Sequence, residues 1–131
     1  MRDEEVFANI ELWLKLKSVN VHALVDTGAT RSIMSMRLAK ELDFVPYEKT
    51  REIGTAEEGG KLRLVGYCVV EKVVFEGVEI PIGASLFEVA ENLRGEVDLI
   101  LGRDNIDLWN VKVEKGKIPY VELDPLHFLI V

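Results

Sequence analysis

The sequence predicts a mostly β protein with one short amphipathic helix. Runs rich in apolar and β-branched residues alternate with polar neighbours, glycine-containing turns separate these runs, and one segment alone shows clear helical spacing. The chain has 131 residues, of which 48% are hydrophobic and 30% charged. This size suits one globular core, so we expect a single domain spanning residues 1–131.

The N-terminal third contains two predicted strands and the helix. Residues 6–16 and 21–25 have the alternation of strands, and Lys17-Ser-Val-Asn20 is a plausible turn between them. After Thr30 the apolar residues change to helical spacing, which predicts a helix from Met34 to Leu42 that ends before Pro46.

The rest of the chain is predicted to form hairpins. Glycines favour turns because they adopt positive φ angles without steric cost. The predicted segments are a hairpin over 51–64 with its tip at 56–60, strands over 64–75 and 78–87 joined at Glu76-Gly77, an apolar run over 97–101, a hairpin of 111–114 with 118–123, and a strand-like end over 126–131. Pro81 places the strand that contains it near a sheet edge.

Composition excludes several function classes. The formal charge of −7 argues against nucleic acid as a partner, because phosphate binding requires a positive surface. A run of about 18 apolar residues, as a membrane helix needs, does not occur, and the charged start Met1 to Glu5 lacks the apolar region of a signal peptide. We therefore expect a cytoplasmic protein with no membrane partner.

Cysteine, histidine and tryptophan give no sign of a metal or cofactor. Cys68 is the single cysteine, so we expect a buried apolar residue rather than a disulfide or metal ligand. His22 and His127 lack metal-site spacing. Trp13 and Trp109 have apolar neighbours and are interpreted as packing residues. No metal site and no cofactor are predicted.

Asp26 is the candidate catalytic residue. It directly follows the apolar run Ala23-Leu-Val25, where an isolated carboxylate is costly to desolvate. Two carboxylates about 3 Å apart share one proton, so that one can act as a base and the other as an acid in peptide hydrolysis. Gly28 permits a tight turn, Ala29 leaves room beside the carboxylate, and Thr27 offers a hydroxyl to tie two such loops together.

A second segment is similar to the one that ends at Asp26. Asp98-Leu-Ile-Leu-Gly-Arg103 repeats the pattern of Ala23-Leu-Val-Asp-Thr-Gly28, an apolar run followed by glycine. Each segment could close one half of a pseudo-symmetric barrel, although a chance similarity of two short apolar runs remains an alternative.

Together these features resemble the retropepsin-like aspartic proteases, the family of retroviral proteases and their cellular and microbial relatives, over nearly the whole chain. Asp26-Thr-Gly28 matches the catalytic triplet of that family, and Leu99-Ile-Leu-Gly-Arg-Asp104 matches the segment before its short terminal helix. The resemblance implies a closed acid-protease β-barrel with one or two short helices. It also implies that Leu101, Gly102 and Arg103 form a structural second loop.

The resemblance further assigns residues 53–61 to a flap over the substrate. The implied flap and substrate-binding residues are Ile53, Gly54, Thr55, Ala56, Gly59 and Gly60. The predicted helix from Met34 to Leu42 is more similar to the non-viral branch of the family, which includes the DNA-damage-inducible proteases, than to the retroviral enzymes. The retroviral pattern has acidic residues where this chain has Thr30-Arg31-Ser32, so an expected acidic partner of Arg103 is missing. Asp104, Asp98 or a carboxylate across a dimer could replace it.

One Asp-Thr-Gly triplet provides only half of a carboxylate pair. The resemblance therefore implies a homodimeric aspartic endopeptidase that cleaves an extended polypeptide by a water activated between two Asp26 side chains. Chain ends often pair across subunits in this family, and residues 126–131 are apolar enough to do so or, equally, to complete the core of the monomer. Two alternatives stay open: a weakly active or inactive dimerisation and peptide-binding module with this fold, and a monomeric barrel in which Asp26 caps a turn.

Overall fold

The computed structural model describes residues 5–54, 60–93 and 95–129. These residues form eleven strands and two short helices, which confirms the prediction of a mostly β protein. The strands are β1 Val6–Leu14, β2 Lys17–Val25, β3 Ile33–Ser35, β4 Val45–Gly54, β5 Lys61–Val70, β6 Lys72–Phe75, β7 Val78–Glu79, β8 Ser85–Ala90, β9 Leu99–Leu101, β10 Val111–Lys112 and β11 Tyr120–Val121. The helices are α1 Met36–Leu42 and α2 Arg103–Leu108.

The hairpin of β1 and β2 turns earlier than predicted. Leu14 pairs with Lys17, so the turn is formed by Lys15 and Leu16, with Lys15 at a φ of 59°. The prediction of a turn over Lys17-Ser-Val-Asn20 was therefore wrong. All four residues pair with β1 as part of β2, where Lys17, Ser18 and Asn20 are exposed and Val19 is buried.

The predicted helix over 34–42 begins two residues later. Ile33–Ser35 forms β3, which pairs with β8 on one side and β9 on the other, and α1 starts at Met36. Ser35 ends the strand and caps the helix, since its side chain accepts a hydrogen bond of 3.1 Å from the N–H of Leu38. An apolar segment of three residues suits either structure, and its two neighbouring strands determine that it is a strand.

Nine strands form one sheet in the order β4-β5-β8-β3-β9-β2-β1-β6-β7. Within the described ranges, β4 and β7 each pair with one neighbour and so form the two edges. The prediction of a closed barrel is therefore not confirmed. β2 and β9 pair in parallel, with Leu24 opposite Ile100 and Val25 opposite Leu101. The two similar sequence segments thus lie side by side and run in the same direction.

Several shorter predictions agree with the fold, whereas the chain end does not. Glu76 and Gly77 make the turn between β6 and β7, and β10 pairs with β11 around Lys115-Gly-Lys117. The predicted strand over 78–87 is divided into β7 and β8, with Pro81 in the connection between them. The prediction of a C-terminal strand was wrong for residues 126–129, because a turn forms there in which the main-chain oxygen of Asp124 accepts hydrogen bonds from the N–H groups of His127 and Phe128.

The main core consists of buried residues from the large sheet and from both helices. Trp109, with 0% exposure, lies near Phe75 and Phe87, and its indole N–H donates a 2.7 Å hydrogen bond to Ser85 Oγ. The packing role predicted for Trp109 is confirmed. Cys68 is 1% exposed, as predicted. The helices in the described ranges have seven and six residues, and none is long and apolar enough to cross a membrane.

Candidate active site

Asp26 follows the last residue of β2 and begins the loop of residues 26–32. Its main-chain N–H donates a 2.9 Å hydrogen bond to the carbonyl oxygen of Leu101, and its carbonyl accepts from the N–H of Ala29 at 3.1 Å. Oδ1 of its side chain accepts from the N–H of Gly28 at 3.0 Å. Within the described part of the chain, Oδ2 has no hydrogen-bond partner. One carboxylate oxygen is thus held by the turn, and the other is available to water or a second carboxylate.

The second loop supports the first through a main-chain contact that requires glycine. A Cβ on Gly102 would lie 2.4 Å from the carbonyl oxygen of Arg31 and 2.8 Å from its nitrogen. Across the same contact, the N–H of Arg103 donates a 2.7 Å hydrogen bond to the carbonyl of Ala29. The backbones of the two loops therefore approach too closely for any side chain at position 102.

Ser32 and Asp104 join the same two loops by side-chain hydrogen bonds. Ser32 Oγ donates to Asp104 Oδ1 at 2.6 Å, its main-chain N–H donates to Oδ2 at 3.1 Å, and Ser32 Oγ accepts from the N–H of Gly102 at 3.0 Å. These contacts satisfy a serine that is 1% exposed. Sequence reasoning missed this pair because its members are 72 residues apart in the chain.

Arg103 has a different partner from those that the sequence suggested. Its guanidinium pairs with Asp107, one turn later in α2, rather than with Asp104 or Asp98. Asp104 is bound to Ser32, and Asp98 is bound to Ser35 Oγ at 2.7 Å and to Arg37 at 2.6 Å. Within one chain the acidic partner of Arg103 thus comes from the same helix, because the i,i+4 spacing brings the two side chains together, and a carboxylate across a dimer stays a prediction.

Glu88 forms a cluster with Arg31, Arg51 and Tyr47 that the sequence did not indicate. Its carboxylate accepts from Arg31 at 2.6 Å, from Tyr47 Oη at 2.7 Å, and from Arg51. Burial raises the pKa of Glu88, but the hydrogen bonds of Tyr47 and Arg31 and the charges of both arginines outweigh burial and lower it from its ordinary value. The one sequence signal was a charged residue inside the apolar segment of β8.

The predicted flap is only partly described. Ile53 and Gly54 end β4 and pair with Leu62 and Lys61 of β5, so the base of a hairpin is present. Gly60 precedes β5 and is partly buried. Thr55, Ala56 and Gly59 lie outside the described residues, as do the acidic residues Glu57 and Glu58.

A small apolar cluster lies beneath the hairpin base and is separate from the main core. Its buried members are Ile33, Leu64 and Ala90, and its partly buried members are Tyr47, Ile53, Leu62, Leu93 and Ile100. These residues come from the strands next to the Asp26 loop and from the hairpin. The partly buried members leave an apolar surface that includes Ile53 and Leu62 at the base of the hairpin.

The remaining predicted site residues are exposed or half-buried in a single chain. Thr27 and Gly28 are exposed and Ala29 is half-buried.

The two histidines contact neighbouring residues of the chain. His22 stacks on Phe7 with ring centroids 4.9 Å apart, and His127 contacts the carbonyl of Leu108. In the described ranges, no three His, Cys, Asp or Glu side chains are grouped to hold a metal ion.

Comparison with known sequences relates the chain to aspartyl proteases. A sequence model of the aspartyl protease family matches residues 4–114. DNA damage-inducible protein 1 of Phaeosphaeria nodorum is 27% identical over 116 residues, which cover 86% of this chain and 25% of the relative. The chain thus spans about a quarter of the length of the curated relative that it matches.

Two solved structures show the same fold. The retroviral protease-like domain of Ddi1 from Leishmania major has a TM-score of 0.67 at 22% identity, covering 94% of this chain and 92% of that one. A retropepsin-like aspartic protease from Rickettsia conorii has a TM-score of 0.60 at 20% identity, covering 92% of each chain. With its retropepsin-like fold and a family match over most of its length, the chain belongs to the aspartyl protease family.

Proposed function

We propose that the chain is a homodimeric aspartic endopeptidase in which Asp26 of each subunit supplies one catalytic carboxylate. The observation that carries the proposal is the set of hydrogen bonds made by Asp26. Its Oδ1 accepts from the N–H of Gly28 at 3.0 Å and its main-chain N–H donates to the carbonyl oxygen of Leu101, which leaves Oδ2 for a reacting group. Two such groups facing each other can share one proton, as acid and base catalysis requires.

The exposure of the loop supports a site that a second chain completes. Thr27 and Gly28 lie at the surface of a single chain, on the side that carries the Asp26 carboxylate. The sequence holds one Asp-Thr-Gly triplet, so a twofold axis near Asp26 is the simplest source of the second carboxylate. In such a dimer the exposed Thr27 hydroxyls would be placed to tie the two loops.

In the proposed mechanism, a water between the two Asp26 side chains attacks the scissile carbonyl carbon. One carboxylate takes a proton from the water, and the other donates its proton to the carbonyl oxygen, which gives a noncovalent tetrahedral diol. The Asp26 side chain that took the proton of the water then donates it to the amide nitrogen, a hydroxyl of the diol returns a proton to the other Asp26 carboxylate, and the C–N bond breaks to give a carboxylic acid and an amine. The substrate would lie extended under the predicted flap of residues 53–61, which would exclude water from the reaction.

Substitution of Asp26→Asn tests the role of the carboxylate. Asparagine keeps an oxygen that can accept the hydrogen bond of Gly28, so the turn is preserved while the charge and the exchangeable proton are lost. We expect kcat/KM on unfolded protein or peptide libraries to fall by about 10²–10⁴-fold or more. The matched control is Asp43→Asn, a surface substitution at a residue that pairs with Lys15 at 3.8 Å. Equal cleavage by Asp26→Asn and wild type would refute the proposal.

Mixing experiments test whether the site is shared between two chains. If wild-type and Asp26→Asn chains are exchanged in equal amounts, about one quarter of the dimers have two intact carboxylates, whereas a monomeric enzyme would keep about half of its activity. We expect the quarter value, with dimers seen by sedimentation. Binding of peptides without cleavage by the wild type would favour the peptide-binding alternative. Full activity of a monomer would refute the shared site.

A further inference from the structure

We infer that Arg31 and Arg51, held in place by the buried Glu88, form a cationic subsite that takes an acidic side chain of the substrate. This inference rests on the proposed endopeptidase function and names a substrate class for the same site. Glu88 is 7% exposed, whereas the side chains of Arg31 and Arg51 are 48% and 49% exposed. The carboxylate is thus inside the protein and both cations face outward.

The two arginines lie on the elements that border the candidate active site. Arg31 belongs to the Asp26 loop, and its main chain is in close contact with Gly102 of the second loop. Arg51 lies on β4, two positions before Ile53 at the base of the predicted flap. Glu88 is opposite Ile33 in the pairing of β3 with β8, which brings its carboxylate to the end of the Asp26 loop. The cluster therefore connects the catalytic loop with the hairpin.

Tyr47 places the cluster at the edge of the apolar surface. Its hydroxyl binds Glu88, and its ring packs against the small apolar cluster that contains Ile53 and Ile100. The guanidinium carbon of Arg51 lies 5.5 Å from the centre of the same ring. A substrate side chain that crosses this surface would reach the arginines at its rim.

The charges of the cluster do not cancel. Two guanidinium groups share one carboxylate, so the cluster carries one net positive charge, although the whole chain has a formal charge of −7. Arg63 on the adjacent β5 shows the opposite arrangement, because it lies between two acids, Glu52 and Glu91. A local positive excess in an acidic protein favours a ligand with a negative group.

The guanidinium groups are also well oriented to bind a carboxylate. Each contacts Glu88 through one terminal nitrogen, while a guanidinium has five N–H donors in a rigid fork. Contacts with Glu88 and Tyr47 restrict their rotamers before the substrate arrives, which lowers the entropic cost of binding. Paired N–H donors match the two oxygens of Asp or Glu. In a symmetric dimer the subsite would occur twice, at equivalent positions on the two sides of the scissile bond.

Peptide binding to the otherwise complete Asp26→Asn chain tests the subsite separately from catalysis. Fluorescently labelled peptides would carry Glu, or the uncharged Gln of the same shape, at each position in turn. We expect the Glu peptide to bind about tenfold more tightly at one position on each side of the scissile bond, the size of a charge-assisted hydrogen bond. When Arg31→Gln is added to the Asp26→Asn chain, the ratio of Glu-peptide to Gln-peptide affinity should fall to about twofold or less. Arg31→Lys in its place should keep part of the preference, because the charge is kept.

Controls separate recognition from folding. Arg37→Gln removes another exposed arginine whose partner is Asp98 instead of Glu88, and it should leave the Glu/Gln ratio unchanged. Arg51→Gln provides a second variant in case Arg31→Gln fails to fold, as judged by circular dichroism and sedimentation. The inference would be overturned by a Glu/Gln ratio near one in the Asp26→Asn chain with both arginines intact. It would also be overturned if Arg31→Gln and Arg51→Gln both fold and both leave the ratio unchanged.

Cleavage assays with the wild type distinguish failure of the subsite from failure of the enzyme. Cleavage of the Glu and Gln peptides at equal kcat/KM would refute the acidic preference and leave the endopeptidase function intact. A Glu preference in binding that Arg31→Gln abolishes, together with no cleavage by the wild type, would support the cationic subsite and refute the endopeptidase.

Discussion

Substitution of Gly102→Ala tests how tightly the two active-site loops are packed. The added Cβ would lie 2.4, 2.6 and 2.8 Å from the carbonyl oxygen, carbonyl carbon and nitrogen of Arg31. Real Cβ contacts are essentially never shorter than 3.0 Å, so the oxygen must move by at least 0.6 Å, the difference between 3.0 and 2.4 Å. All three atoms belong to the backbone, so no side-chain rotation can relieve the contact.

The same movement weakens the hydrogen bonds that join the loops. The N–H groups of Asp26, Gly102 and Arg103 donate bonds of 2.9, 3.0 and 2.7 Å across the contact. Overpacking costs about 1–3 kcal/mol, and each weakened hydrogen bond about 1 kcal/mol. We therefore expect the free energy of unfolding to fall by about 4–6 kcal/mol. A catalytic group displaced by about 1 Å can lose about 100-fold in rate, so activity should fall in the chains that remain folded.

Urea unfolding and peptide cleavage measure these two effects. Gly83→Ala is the matched control, because a Cβ at position 83 meets nothing within 4 Å and its φ is not positive. We expect the control to change stability by no more than about 0.5 kcal/mol. Protein concentrations must be equal, since association shifts apparent stability. Stability and activity of Gly102→Ala equal to those of Gly83→Ala would refute the close contact of the loops.

Two further predictions concern buried ionisable groups. The lowered pKa of Glu88 means that its interactions stabilise the fold above the ordinary value of 4.5 and are lost as the pH falls through the lower value of the folded state. Unfolding free energies of wild type and Glu88→Gln should therefore differ most near neutral pH and converge in acid; a difference independent of pH from 7 to about 3 would contradict this reasoning. Burial raises the pKa of the Cys68 thiol to about 11. A thiol-reactive dye should therefore label Cys68 only as the chain unfolds in urea, and rapid labelling of the native protein would contradict its burial.

Local patterns identified the candidate catalytic loop, because its signal lies in consecutive residues. A carboxylate directly after an apolar strand, followed by threonine and glycine, is unusual wherever it occurs, and Asp26 begins a tight turn in which Gly28 donates to its side chain. The structure agrees with that local interpretation, whereas the catalytic role of Asp26 stays a proposal. The sequence also indicated Gly102 in the second loop, but it did not predict that the Arg31 backbone lies close enough to require a glycine there.

Strand boundaries depended on pairing partners that local patterns do not contain. The polar residues Lys17, Ser18 and Asn20 suggested a turn, yet they belong to β2 and pair with β1. The apolar residues 33–35 fitted a helix, yet β8 and β9 enclose them as a central strand. In each case hydrogen bonds to distant strands outweighed a weak local preference.

The sequence by itself determined the mostly β class, the position of the Asp26 turn and the similarity of the two apolar segments that end in glycine, because each depends on neighbours in the chain. Only the tertiary structure decided that these segments lie in parallel and that Glu88 holds Arg31 and Arg51. These contacts join residues far apart in the chain. Their energies depend on burial and distance, which exist only after the chain has folded.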